Sequence, residues 1–141
     1  MSMKITNIRE FQGTLGKFKV EVKDQAEKMV RRTAFAVDKA VVMASPVDTG
    51  YFRANWQVTL EVPATGTVAH IPGSNGSSAA SNTAKAMSQL GMVTKDYKLG
   101  QTIYIVNNVV YGPRLNDGHS KQAPKNFVGK AVQAGIAEAK R

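Results

Sequence analysis

From Asn7 to Ala44 the positions Ile8, Phe11, Leu15, Phe18, Val22, Ala26, Met29, Thr33, Val37, Ala40 and Ala44 follow one another in steps of three and four. That spacing lays a single stripe along one side of a helix. Lys17, Lys23, Lys28, Arg31, Arg32 and Lys39 fall off the stripe and are expected to face water. Pro46 closes the helix, because the residue before a proline is driven out of the helical region. Taken as continuous, the segment is a rod of ~57 Å at 1.5 Å per residue. A chain of 141 residues makes a globule only roughly 37 Å across. Either Gly13 and Gly16 break the rod, or its first turns project from the domain and bury Ile8, Phe11 and Leu15 against another subunit.

The rest of the chain is expected to complete one α+β domain over 1–141, with two helices packed on a small, mainly antiparallel sheet. Tyr51 to Val62 alternates between apolar and polar side chains, which predicts a half-buried strand. Pro63-Ala64-Thr65-Gly66 carries turn chemistry, and Thr67 to Ile71 is a candidate return strand. Between Glu61 and Lys85 stand 23 residues without a formal charge, including Gly73, Ser74, Asn75, Gly76, Ser77 and Ser78. They read as a flexible loop over about 63–82, or as a segment that orders against a neighbouring subunit. Ser81 or Asn82 then caps a short helix ending at Gly91, and Thr102 to Val106 reads as a central strand. Tyr111 to Ala123 is a structured connection. A last helix begins at Pro124 or Asn126, with small residues that allow close packing on the sheet.

Composition narrows the function. Zero cysteines remove disulfides and thiolate metal ligands, leaving His70 and His119 as the imidazoles, so no metal site is expected. The longest apolar run, Ala40 to Ala44, is far short of the ~20 residues of a membrane span, and Met1 to Asn7 shows no signal-peptide stretch. The formal charge is +9, which raises the alternative of a basic DNA-binding module. Yet residues 1–60 carry 10 basic and 6 acidic groups and residues 61–141 carry 9 and 4, so the excess is spread evenly. No basic strand is interleaved with aromatics of the kind that stacks bases.

Motifs for catalysis do not hold together. Asp48-Thr49-Gly50 has the triplet of an aspartic protease, in which two carboxylates share a proton. Here it follows a helix stopped by Pro46 and precedes the bulky Tyr51, so it reads as a turn in which Asp48 accepts from the backbone of Gly50 and Gly50 takes a positive φ. Asp117, His119 and Ser120 are triad residue types, but neighbours in one loop do not reach relay geometry. No phosphate loop with its lysine is present. No catalytic, cofactor or metal residues are expected.

The phrase Ser45-Pro46-Val47-Asp48-Thr49-Gly50, followed by Arg53 and Trp56, together with Ile103-Tyr104-Ile105-Val106-Asn107-Asn108, Tyr111, Gly118-His119-Ser120-Lys121-Gln122-Ala123-Pro124 and Phe127-Val128, resembles the neck and tail-completion proteins of HK-type and lambdoid siphophages. The similarity covers about residues 5–138. Asn116 stands where that family usually has an acidic residue, and Gly112 where alanine often follows the tyrosine. The resemblance implies a structural protein without turnover, made in the host cytoplasm and built into the virion near the head-to-tail joint. It implies a ring of identical subunits, with connector and tail proteins as partners and DNA only as passing cargo. Ile8, Phe11, Leu15 and the loop from Gly73 through Ser78 to Asn82 are the expected contact surface, with Trp56, Ile103 and Ile105 holding the core.

Overall fold

The computed structural model describes residues 8–141; Asn7, and the side chains of Ile8 and Phe11, lie outside the described residues. Helix α1 runs unbroken from Ile8 to Ala44. Gly13 and Gly16 do not interrupt it, since each costs a helix about 1 kcal/mol and neither is placed where the chain must turn. Residues 12–25 are exposed throughout, and the first buried position among the described residues is Ala34. The first turns therefore project, and the helix joins the core only in its second half.

There the buried face is not the predicted one. Thr33, Val37, Ala40 and Ala44 are not the most deeply buried positions of this half; Ala34, Asp38, Val41, Val42 and Ser45 are. The reason is that α1 is covered from two sides. One side meets helix α3 (Ala79–Asp96) and the strands; the other meets helix α5 (Phe127–Ala139). The small residues of α5 thus pack on α1 instead of on the sheet. At Gly135 a Cβ would fall 2.6 Å from the Cα of Val37 and 2.9 Å from the Ala36 carbonyl. Arg31 is likewise drawn in from solvent, donating from Nε to the Thr94 carbonyl at 2.9 Å and from a terminal nitrogen to the Tyr97 carbonyl at 2.8 Å. These are carbonyls of the last turn of α3 and of its cap, where intrahelical partners run out, and that of Thr94 also accepts from the Tyr97 amide at 3.3 Å.

Tyr51 to Ala54 is one short helical turn, α2, and the strand β1 spans only Trp56–Leu60. It pairs antiparallel with β2 (Ile103–Asn107), Val58 opposite Ile105, in a two-stranded sheet. β2 is accordingly an edge strand, not a central one. The predicted alternation of burial fails because 52–58 are all buried, including Arg53, Asn55 and Gln57. No return strand forms over 67–71 among the described residues. Instead side-chain amides take the place of a strand: Asn55 exchanges two hydrogen bonds with the backbone of Val68, 2.7 and 3.2 Å, and Asn82 does the same with Ile71, 2.8 and 2.9 Å. Gln57 donates to the Gly66 carbonyl. Asn82 is therefore an interior residue of α3, not its cap, and α3 runs on past Gly91 to Asp96.

The apolar core joins α1, α2, α3 and α5. Phe52 sits edge-on to both Trp56 and Phe127, with ring centroids 6.0 Å apart in each case, the arrangement that aromatic quadrupoles favour. Ile103 and Ile105 are only half-buried and border a smaller cluster of Ala34, Val58 and Leu90. Asp38 lies on α1 between positions that belong to these two clusters, Ala34 and Val41. It is fully buried, and neither carboxyl oxygen has a hydrogen-bond partner. Burial pushes its pKa up from 3.8 to about 7.

Candidate assembly surface

The Ser45 to Gly50 corner is a junction where four segments are tied together. Ser45 Oγ donates back to the Val41 carbonyl at 2.6 Å and accepts from Trp56 Nε1 at 2.7 Å. Arg53 reaches beneath the end of α1, donating to the carbonyls of Met43 at 3.0 Å and Ser45 at 2.9 Å and, through its other terminal nitrogen, to Thr83. It caps the C-terminal end of α1, with its pKa lowered by burial. Arg53→Ala is expected to strand those carbonyls and lower stability by about 2–3 kcal/mol, read as a denaturation midpoint. Arg53→Lys should recover only part of this, because an ammonium cannot span the fork.

Gly50 has φ +84°, as expected, and a Cβ there would overlap the Asn82 side chain. The carboxylate of Asp48 does not serve its own turn. It accepts from the Asn75 amide at 2.7 Å, while the Asp48 carbonyl accepts from Gly76 at 3.0 Å. Thr49 Oγ1 accepts from the Tyr51 amide at 3.3 Å. Gly76, φ +81°, packs against Val47, and Ser77 Oγ accepts from the Ser74 amide. Thus the Gly73–Ser78 segment is fastened directly to the Pro46 corner, with Ser78 buried beside Asn82. A cleft of about 250 Å³ opens between Pro46, Thr49, Gly50, Phe52, Tyr111 and Leu115. The pKa of the Tyr111 hydroxyl is raised, by burial first and then by Tyr51.

The second motif meets the first. Val47 N–H donates to Gln122 Oε1 at 2.6 Å, and Ser120 Oγ holds the Gln122 amide at 3.1 Å. Gly118 turns the chain at φ +101°. His119 is exposed, and Ser120 Oγ is engaged by the Gln122 amide, so the triad residue types of this loop are not assembled into a relay. Asn116 pins the start of α5: its side-chain oxygen accepts from Val128 at 3.0 Å and its carbonyl from Asn126 at 2.6 Å. An acidic residue would accept both bonds equally well.

Leu15 is 40 % exposed, Phe18 59 % and Val22 51 %, along the projecting half of α1. Among the described residues no other element of the chain covers this face. Among those residues no group of three or more His, Cys, Asp or Glu is placed to hold a metal, and none of their helices is long and apolar enough to cross a membrane. The bonds that sequence reasoning missed are those of Arg53, Asn55, Asn82 and Gln122, whose polar side chains look like surface groups until the segments they clamp are folded over them.

No curated protein and no solved structure matches this chain. A family model does, over residues 9–118, under the description "Bacteriophage HK97-gp10, putative tail-component". The match takes in the projecting helix, the Pro46 corner, the strand pair and Gly118, which is well over half of the chain, and on that ground the chain belongs to the HK97-gp10-like family of bacteriophage tail components.

Proposed function

We propose that this tail component acts at the head-to-tail joint as a tail-completion or neck protein, assembling with copies of itself into a ring. The observation that carries the reading is the projecting, uncovered apolar face of Leu15, Phe18 and Val22. At about 25 cal/mol per Å² an apolar face left in water is costly, and a head-to-tail contact that closes on rotation removes it from every subunit at once. The rigid Pro46 corner, tied to Gln122 and Asn75, fixes the angle at which the globule stands on its rod. In this reading the protein has no turnover and no cofactor; its work is adhesion and geometry. Connector and tail proteins are its neighbours in the virion, and DNA passes it as cargo. Its diffuse positive charge then faces acidic neighbours or passing phosphate.

Replacing Leu15, Phe18 and Val22 together by Asp tests this. All three are exposed, so the melting temperature should move by no more than about 3 °C. Light scattering of the wild type should give a mass several times 15.2 kDa, and the triple variant should remain monomeric. Unchanged association in the variant would remove the projecting face from the assembly.

A further inference from the structure

β2 carries an open edge. The bond from the Glu61 amide to the Thr102 carbonyl, 2.8 Å, together with the register that sets Val58 opposite Ile105, fixes which residues of β2 turn their backbone toward β1. In an antiparallel ladder they alternate: Thr102, Tyr104 and Val106 face β1, and Ile103 and Ile105 face away. Of the outward-facing amides of β1, the central one, at Val58, is capped by Gln89 Oε1 at 3.3 Å. No such cap exists on β2, where the N–H and C=O groups of Ile103 and Ile105 have no hydrogen-bond partner among the described residues. The edge also lacks the lysines and prolines that proteins use to blunt exposed strands. Beside it runs an apolar groove of about 330 Å³ between Met29, Val30, Thr33 and Val37 of α1 and Ile103 and Ile105.

Such a site takes an extended segment, with backbone bonds for affinity and a groove for alternate side chains. This chain contains one of matching pattern. Met1, Met3 and Ile5 alternate with Ser2, Lys4 and Thr6 immediately before α1. It does not reach its own β2: from Ile8 to Thr33 the helix spans ~37 Å, whereas seven extended residues cover roughly 24 Å.

We infer that residues 1–7 of one copy add as a strand to the β2 edge of a second copy, with Met1, Met3 and Ile5 in the groove and Ser2, Lys4 and Thr6 on the other face of the sheet. This rests on the self-assembly part of the proposed function and supplies its directional contact, since donor and acceptor surfaces differ and the pairing is head-to-tail.

The chain has no cysteine, so engineered thiols report this contact without background. Ile105→Cys protein is mixed with Met3→Cys or Ile5→Cys protein under mild oxidation, thermal melts of each variant having shown that it folds. A disulfide-linked dimer of ~30 kDa is expected from at least one pair, because paired strands bring Cα atoms within bridging distance, and Ser2→Cys should link far more slowly. In parallel, Met3→Asp with Ile5→Asp should weaken self-association on the order of tenfold or more, an inserted charge facing an apolar groove. A fluorescent peptide of residues 1–7 should bind the wild-type chain saturably and lose that binding on Ile105→Pro, a substitution that removes an outward N–H and no ladder bond. Oligomers that form with no cross-link, no effect of the aspartates and no peptide binding would overturn the strand contact while leaving the ring. A monomer that nonetheless binds the peptide would uphold the edge site and contradict the ring.

Discussion

Asp38→Asn is expected to raise the stability of the isolated chain by about 3 kcal/mol at pH 8 and to change it little at pH 4. Asp38 is fully buried, with both oxygens unpartnered and a pKa raised from 3.8 to about 7. The folded chain therefore keeps the proton over a range in which the unfolded chain has released it. Between pH ~4 and ~7 the folded state binds more protons, so stability falls as pH rises, by up to roughly 4 kcal/mol in all, and levels off once both states are ionised. Asparagine has nearly the same shape and no charge, so it should flatten this slope. Urea midpoints of both proteins from pH 4 to 8 measure the effect directly. Taking the difference between the two curves removes every contribution that both proteins share. Parallel curves would mean that the carboxyl finds a partner in solution.

Gly135→Val should cost roughly 3 kcal/mol, about a 10 °C fall in melting temperature. The clash is with backbone: an added Cβ stands 2.6 Å from the Val37 Cα and 2.8 Å from its nitrogen. A side-chain tip could swing away, but the Val37 backbone moves only if α1 and α5 separate along their whole contact. Separation would also unseat Ala131 and Ala139, which are buried on the same face of α5. At Gly129, by contrast, the three atoms nearest an added Cβ all belong to the Asn126 side chain, which can swing aside on a Gly129→Val change. It should cost less than half as much, which makes the pair of melts a measurement of helix–helix approach and not of glycine's helix propensity.

How far the fold could be read in advance follows from which residues do the holding. The long helix was legible because its apolar positions recur in threes and fours and Pro46 stops them, and its overshoot of the globule left two outcomes, a break at Gly13 and Gly16 or a projecting end, of which the structure has the second. The positive φ at Gly50 was legible in Asp48-Thr49-Gly50. What failed were the inferences at Arg53, Asn55 and Asn82, where a polar side chain was treated as a solvent marker; Lys17, Lys23, Lys28, Arg32 and Lys39 do face water. Arg53 made Tyr51 to Ala54 look like part of an alternating strand, although its guanidinium is buried as the cap of α1. Asn55 and Asn82 made the 63–82 stretch look unanchored, although their amides bind the backbone of Val68 and Ile71 as a strand would. Asp38 sat one position from the predicted stripe and gave no warning, because a carboxyl buried without a partner breaks the pairing rule that sequence reading relies on. The family itself was legible from the Pro46 corner, which lies within the matched residues 9–118, and the Gln122 segment that follows them is joined to that corner by the hydrogen bond from Val47 to Gln122.

Phage particles made without this protein, viewed by electron microscopy, test the central claim most directly. A head-to-tail joint role predicts filled heads and tails that do not stay joined, or tails of uncontrolled length, with the defect repaired by adding the purified protein and not by the Leu15, Phe18, Val22 triple Asp variant. Joined particles of normal tail length and full infectivity in its absence would contradict it.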